Sequence, residues 1–170
     1  TGPAAHSLIL MNGAWSRTWQ GVDTTWEDQS KMTIIEGMRS IGGEQVKYKK
    51  GCELNAYKKD KRWLKSLRKM DVIVACVGEL PSTEKPGDID DLSLERAQIK
   101  FVQDLIKTGR PVVLLMLENR PRLIEPIADQ CAAVVMAYQP GDNAGDVIAK
   151  ILYGDINPSG KLPFTYPKFN

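Results

Sequence analysis

The sequence predicts an α/β fold, an open, doubly wound three-layer sandwich with a mostly parallel sheet of about five or six strands. Two observations predict it. The runs "DVIVACVG" (71–78) and "PVVLLML" (111–117) are continuously apolar rather than alternating, which is typical of strands buried on both faces. Between them lies the amphipathic stretch "LSLERAQIKFVQDLIKTG" (92–109), a suitable crossover helix between parallel strands. We therefore expect one domain over residues 1–170.

The other elements are predicted from hydrophobic periodicity, which is two residues for a strand and about 3.6 residues for a helix. The predicted strands are 6–12, 45–50, 71–78, 111–117 and 132–138. The predicted helices are 26–41, 60–70, 92–109, 122–130 and 143–154, with a turn-rich tail after them. Glycines at 42–43 and at 109 are expected to end two of these helices, because glycine readily adopts the left-handed conformation that follows a last helical turn.

Composition restricts the class of partner. The chain is 42% hydrophobic and 26% charged, with 23 basic and 21 acidic residues and a net charge of +2. This balance gives no reason to expect a nucleic-acid or membrane partner, and no apolar run approaches the roughly 20 residues that a membrane-spanning helix needs.

Residues that often bind metals or cofactors are few. Cys52, Cys76 and Cys131 are odd in number and form no CxxC motif, so we interpret them as inert thiols rather than disulfides or zinc ligands. His6 is the one histidine and is interpreted as structural. No GxGxxG follows the first predicted strand and no GxxxxGK[ST] occurs, so no nucleotide cofactor is expected. No metal site is expected either, because the acidic residues near 79–91 lack the EF-hand spacing.

Sites in open α/β sheets form on loops at the carboxyl ends of strands. The loop "GELPSTEKPGD" (78–88) follows a buried strand and carries two glutamates, Glu79 and Glu84. Glycoside hydrolysis needs a carboxylic acid that protonates the leaving oxygen and a second carboxylate at the anomeric carbon. A solvent-exposed acidic loop is the alternative interpretation.

The loop "NGAWSRTWQG" (12–21) follows the first predicted strand and contains Trp15, Arg17 and Trp19. Indole rings stack on the apolar faces of sugars and aromatic ligands, so these residues are candidates for substrate binding. The alternative is that both tryptophans only cover the core.

Several segments together resemble glycoside hydrolase family 3. They are "GPAAHSLILMNGAWSRTWQG", "VGELPSTEKPGDIDDLSL", "NRP" and "AYQPGDNAGDVIAKILYGDINPSGKLPFTYP", and they span nearly the whole chain. More narrowly, the chain resembles the second, α/β-sandwich domain of β-glucosidases and exo-β-glucanases of that family.

The resemblance implies a retaining, exo-acting β-glucosidase whose two domains share one active site. A barrel domain would carry an aspartate nucleophile, and the sandwich domain would supply the acid/base. The matching acid/base is Glu84, with Glu79 as a second candidate because other branches place the acid earlier in this loop. Trp19 would form one wall of the leaving-group subsite. No cofactor is implied, and the partners are a β-glucoside or β-oligosaccharide and the barrel domain of the same parent chain.

The barrel and its nucleophile are not among these residues, so we expect the isolated chain to be inactive. The resemblance implies a periplasmic or secreted location. The sequence departs from the family pattern with "ENRP", where Glu118 and Asn119 replace "SG", and with "PGDNAG" in place of "PGxEGG". Two alternatives stay open, which are a non-catalytic carbohydrate-binding or scaffold domain and an unrelated flavodoxin-like domain.

Overall fold

Parallel strands form the central sheet of the computed structural model, which describes residues 1–23, 25, 28 and 30–169. Within those residues the sheet has three strands in the order β1-β2-β3, and both neighbouring pairs are parallel. The strands are β1 (Ile73–Gly78), β2 (Val112–Leu117) and β3 (Ala133–Met136). The helices are α1 (Ile34–Gly42), α2 (Lys61–Leu67), α3 (Arg96–Ile106), α4 (Glu125–Ala128) and α5 (Ala144–Tyr153).

The core lies on both faces of the sheet. Val77 of β1 belongs to a cluster with Leu64 of α2 and Phe101 of α3, whereas the preceding Cys76 belongs to a second cluster with Ile34 of α1 and Ile148 of α5. Successive strand residues point to opposite faces, so helices cover the sheet on each side. The predicted α/β class and parallel sheet are confirmed, and the layering is consistent with a three-layer sandwich.

The prediction of five or six strands is wrong for the part of the chain that the structure describes. Residues 6–12 do not form a strand, because Ile9–Met11 is a turn of 3₁₀ helix in which Met11 N–H donates to Leu8 O at 3.1 Å. Residues 46–50 also lie outside any strand. Beside β1, the Thr1 amino group donates to Val74 O at 2.9 Å, and Gly2 N–H donates to Lys50 O at 2.8 Å. The Cys76 N–H also donates to Thr1 O at 2.9 Å, so the start of the chain covers the edge of β1, although neither it nor residues 46–50 form a strand.

The first predicted helix starts later than expected. It was predicted over 26–41, and α1 begins at Ile34 after Thr33, whose backbone N–H donates to the Glu36 carboxylate at 2.8 Å. This capping interaction satisfies a backbone group that a helix end leaves free. Of the earlier predicted positions, Trp26, Glu27 and Gln29 lie outside the described residues.

Gln98 of α3 holds the end of β1 in place. Its side chain is fully buried; Oε1 accepts from Gly78 N–H at 2.9 Å, and Nε2 donates to Gly78 O at 2.8 Å and to Leu54 O at 3.1 Å. The residue after Gly78 opens the loop with the two candidate glutamates, so this buried amide fixes where that loop starts.

We expect Gln98→Leu to lower the free energy of unfolding by about 2 kcal/mol, because it leaves buried backbone groups without partners. Urea unfolding of the chain measures the change. Gln103→Leu on the same helix is the matched control, since Gln103 is only half-buried. Equal values for the two variants would contradict a structural role for the Gln98 amide.

Candidate active site

The carboxyl ends of the three strands bring polar residues to one edge of the sheet. Glu79 follows β1, Glu118 follows β2 and Tyr138 lies just beyond β3. Hydrogen bonds connect these strand ends, since Glu79 N–H donates to Leu117 O and Glu118 N–H donates to Tyr138 O, each at 3.1 Å. This is the edge at which open α/β sheets place their sites.

Glu79 is a buried carboxylate whose two oxygens are both engaged. The residue is 7% exposed. Its Oε1 accepts from the backbone N–H groups of Asn119 at 3.2 Å and Arg120 at 2.9 Å. Its Oε2 accepts from Arg120 Nε at 3.0 Å and lies 3.4 Å from Arg122 Nε. Paired with two guanidinium groups in this way, Glu79 binds the loop after β1 to the loop after β2.

The rest of the loop after β1 is held at further points. The Asn119 amide donates to Ser82 O at 2.9 Å and to Ser82 Oγ at 3.0 Å. The Gln20 side chain forms two hydrogen bonds with the backbone of Thr83. Arg120 donates through Nη1 to Gly87 O. The backbone is therefore fixed on both sides of Glu84.

Glu84 lies at the tip of this fixed loop. Its backbone φ of 54° and ψ of −156° fall close to a region that is essentially restricted to glycine. The residue is exposed, and no residue in the described part of the chain hydrogen-bonds or ion-pairs with its carboxylate. A non-glycine residue in this conformation costs of order 1–3 kcal/mol and persists where its surroundings impose it, so the loop presents a free carboxylate at the expense of strain.

The predicted aromatic residues lie on an exposed loop. Trp15 is 66% exposed and Trp19 is 46% exposed, so neither indole serves mainly to shield the hydrophobic core from solvent. Arg17 forms an ion pair with Asp142 of the "PGDNAG" segment, and Asn12 donates to the same carboxylate. Arg17 therefore ties the tryptophan loop to the turn before α5.

Glu118 is a residue whose importance the sequence did not reveal. It is 1% exposed, and its Oε1 accepts from the Tyr166 hydroxyl at 2.6 Å, whereas its Oε2 has no partner in the described part of the chain. Burial raises the pKa of Glu118 to about 7, and the nearby Glu79 charge acts in the same direction. The signal in the sequence was that this glutamate, in "ENRP", departs from the pattern that the chain resembles, but nothing local predicts its burial.

A cavity of about 650 Å³ lies beside this edge, between β3, α4 and the tail. Tyr138 and Tyr166 line it, whereas Glu84 and Trp19 do not. The cavity therefore does not enclose the predicted catalytic and aromatic residues, which lie on the open surface of the same edge.

The remaining candidates behave as structural groups. His6 Nδ1 lies 2.9 Å from Thr33 Oγ1, beside the start of α1. Burial raises the pKa of the Cys52 thiol to about 12, which disfavours the reactive thiolate.

In the described residues no three His, Cys, Asp or Glu side chains are grouped closely enough to hold a metal ion. In the same part of the chain, no helix combines the length and the apolar character that crossing a bilayer requires.

Comparison with known proteins identifies the family. Residues 1–170 match the Glycosyl hydrolase family 3 C-terminal domain. The chain belongs to this family. The family 3 domain is 42% identical over 176 residues to a lysosomal beta glucosidase of Dictyostelium discoideum, a match that covers 98% of this chain and 21% of that protein. It is 32% identical over 142 residues to a beta-xylosidase of Formosa agariphila, covering 81% of this chain and 20% of that protein.

A solved structure supports the same assignment. The crystal structure of a beta-glucosidase from Listeria innocua in complex with isofagomine matches the family 3 domain with a TM-score of 0.81 and 27% identity, covering 99% of this chain and 22% of that one. The chain thus spans about a fifth of the length of these proteins. The predicted family is confirmed, and the periplasmic or secreted location stays a prediction.

Proposed function

We propose that this domain supplies the acid/base half of the active site of a retaining, exo-acting β-glucosidase, with Glu84 as the acid/base. One observation carries the proposal: of the two loop glutamates, Glu84 has a free, exposed carboxylate on a strained and fixed backbone. The match to family 3 and the beta-glucosidase relatives support the reaction class. The substrate would be a β-glucoside or β-oligosaccharide.

Glu79 fits the acid/base role poorly. An acid/base must give its proton to the glycosidic oxygen and later take one from water, so at least one of its oxygens has to face the substrate. Both oxygens of Glu79 are bound within the protein, and its charge is matched by Arg120 and Arg122. We therefore assign Glu79 to holding the loop and Glu84 to the chemistry.

The mechanism would be a double displacement. The Glu84 carboxyl donates its proton to the departing glycosidic oxygen while a second carboxylate forms the glycosyl-enzyme, and the Glu84 carboxylate then removes a proton from the attacking water. The two carboxyl groups of retaining enzymes stand about 5–5.5 Å apart. Glu79 is engaged elsewhere, so the nucleophile would come from the barrel domain of the parent protein, facing this edge. We accordingly expect the isolated domain to be inactive.

The exposed tryptophans would form the leaving-group side of the same cleft. Trp19 precedes Gln20, which is hydrogen-bonded to the backbone next to Glu84, so the backbone of the tryptophan loop lies beside the Glu84 loop. Stacking of a sugar on Trp19 and Trp15 would place the glycosidic oxygen near the carboxyl. Arg17 would act through its ion pair with Asp142, holding the loop rather than contacting the sugar first.

The test uses the full-length parent protein and its Glu84→Ala variant. We expect kcat/KM for a natural disaccharide to fall by about 10²–10⁴-fold, since general acid catalysis contributes that much. An aryl β-glucoside with a good leaving group needs little protonation, so the rate of its first step, formation of the glycosyl-enzyme, should fall less than that of the disaccharide. Azide should restore turnover by replacing the missing base, and it should yield the β-glycosyl azide.

The matched control is Asp88→Ala, which removes an exposed carboxylate from the same loop and should leave both substrates unaffected. Loss of activity on both substrates without azide rescue would contradict the acid/base role. Unchanged activity in Glu84→Ala would favour the alternative in which the tryptophans make this a non-catalytic carbohydrate-binding domain.

A further inference from the structure

Gln20 forms a two-point contact with the backbone of Thr83, from a distant part of the chain. Its Nε2 donates to Thr83 O at 3.1 Å, and its Oε1 accepts from Thr83 N–H at 3.1 Å. The amide thus pairs with Thr83 as a neighbouring strand would, although no strand is present at either place. A contact that uses both ends of a planar amide fixes orientation as well as distance.

The position of this contact in the loop matters. The carbonyl of Thr83 belongs to the peptide group that carries the N–H of Glu84, so holding it restricts rotation of the peptide plane just before the Glu84 Cα. The positive φ of Glu84, 54°, is a conformation that a glutamate leaves when it is free to do so. Relaxation of φ would swing the carboxylate away from its present direction.

The other anchors of the loop come from a different element. Asn119 and Arg120, which hold Ser82 and Gly87, both follow β2 and belong to the scaffold at the sheet edge. Gln20 instead follows Trp19 directly, in the loop that exposes the two indoles. Its side chain therefore forms a direct hydrogen-bonded connection between the exposed aromatic loop and the Glu84 loop.

We propose that Gln20 is a positioning residue that holds the Glu84 carboxyl in its reactive direction and links it to the loop that exposes Trp15 and Trp19. This inference rests on the proposed function of Glu84. Gln20 does not touch the reacting atoms; its effect passes through the backbone of Thr83. Removing it should therefore impair proton transfer while leaving the chemistry that does not need the proton largely intact.

The experiment compares Gln20→Ala with wild type in the full-length parent protein, using a natural disaccharide and an activated aryl β-glucoside. We expect kcat for the disaccharide to fall by about 100-fold, the loss that misplacement of a reacting group by about 1 Å can cause. The first step on the activated substrate should change little. Gln20→Glu keeps an acceptor for Thr83 N–H but loses the donor to Thr83 O, so its kcat on the disaccharide should lie between those of the other two.

A double variant separates positioning from a general structural effect. If Gln20 acts only through Glu84, adding Gln20→Ala to Glu84→Ala should cause no further loss, because residues that act as a unit are not additive. A further loss in the Glu84→Ala background, or equal slowing of both substrates by Gln20→Ala, would overturn the inference. Gln103→Ala, on α3, serves as the remote control, and thermal unfolding checks that each variant is folded.

The two proposals fail in different ways. If Glu84→Ala has no effect on the disaccharide, the proposed function itself is wrong. If Glu84→Ala abolishes disaccharide cleavage whereas Gln20→Ala leaves it unchanged, Glu84 keeps its role and only the positioning role of Gln20 is lost.

Discussion

Replacing Glu79 with glutamine should lower the free energy of unfolding of this domain by about 3 kcal/mol, because breaking a buried ion pair leaves an uncompensated charge inside the protein. The carboxylate is buried, and it faces both Arg120 and Arg122. Arg122 is itself only 7% exposed, so its guanidinium cannot turn to water without disturbing its neighbours. An amide of the same shape still offers an oxygen to the backbone N–H groups, so the loss reports mainly the charge.

Urea unfolding at neutral pH measures this effect. Glu84→Gln is the matched control in the same loop, because it removes a carboxylate that is exposed and has no partner in the described part of the chain; it should change stability by no more than about 0.5 kcal/mol. If both substitutions cost the same, the division of roles between the two glutamates would be wrong. Disaccharide cleavage by the parent protein should rank the two substitutions in the opposite order. For each kcal/mol of stability lost, Glu84→Gln should reduce cleavage far more than Glu79→Gln does.

Glu118 should make stability depend on pH. Burial raises its pKa from the ordinary 4.5 to about 7, so between these values the folded protein holds a proton that the unfolded chain has released. The contribution of this group to stability is fully present below pH 4.5, is lost as the pH rises from 4.5 through 7, and does not change further above that range. The difference in pKa corresponds to about 3 kcal/mol.

Glu118→Gln should remove this dependence, since an amide resembles the protonated acid and does not titrate. The measurement is the free energy of unfolding of wild type and variant at intervals from pH 4 to 8. We expect the variant's advantage over wild type to grow by about 3 kcal/mol across that range. Glu44→Gln, at an exposed glutamate, should show no such trend. Parallel curves for wild type and Glu118→Gln would show that folding does not shift the pKa of Glu118, which would contradict the prediction.

The sheet was predictable where the pattern itself implies burial. The runs in β1 and β2 are apolar at every position, and a strand buries both faces when helix layers cover both sides of the sheet. The alternation in 45–50 is a weaker signal, because strand formation depends on a partner that supplies a ladder. In the structure, Lys49 O and Lys50 O accept only isolated hydrogen bonds from Thr1 and Gly2. The prediction of a strand at 45–50 was therefore wrong.

The sequence indicated which loops carry the candidate site residues, but it did not indicate the contacts that those residues make. Both Glu79 and Glu84 are loop glutamates in the sequence. The contacts that distinguish them come from Arg120 and Arg122, about forty residues along the chain, and depend on the order of the strands. Gln20 and Glu118 were missed for the same reason, since a contact across the tertiary fold leaves no local signature.

The four-point attachment of the loop after β1 also bears on how such a domain can evolve. Its anchors at Glu79, Ser82, Thr83 and Gly87 do not use the side chain of Glu84. Glu84, at the tip of the loop, can therefore be substituted while the fold persists. A lineage could lose or alter the reaction in this way and still keep a stable domain. The same separation gives the protein engineer a position at which a new catalytic group can be introduced into a backbone that is already held in place.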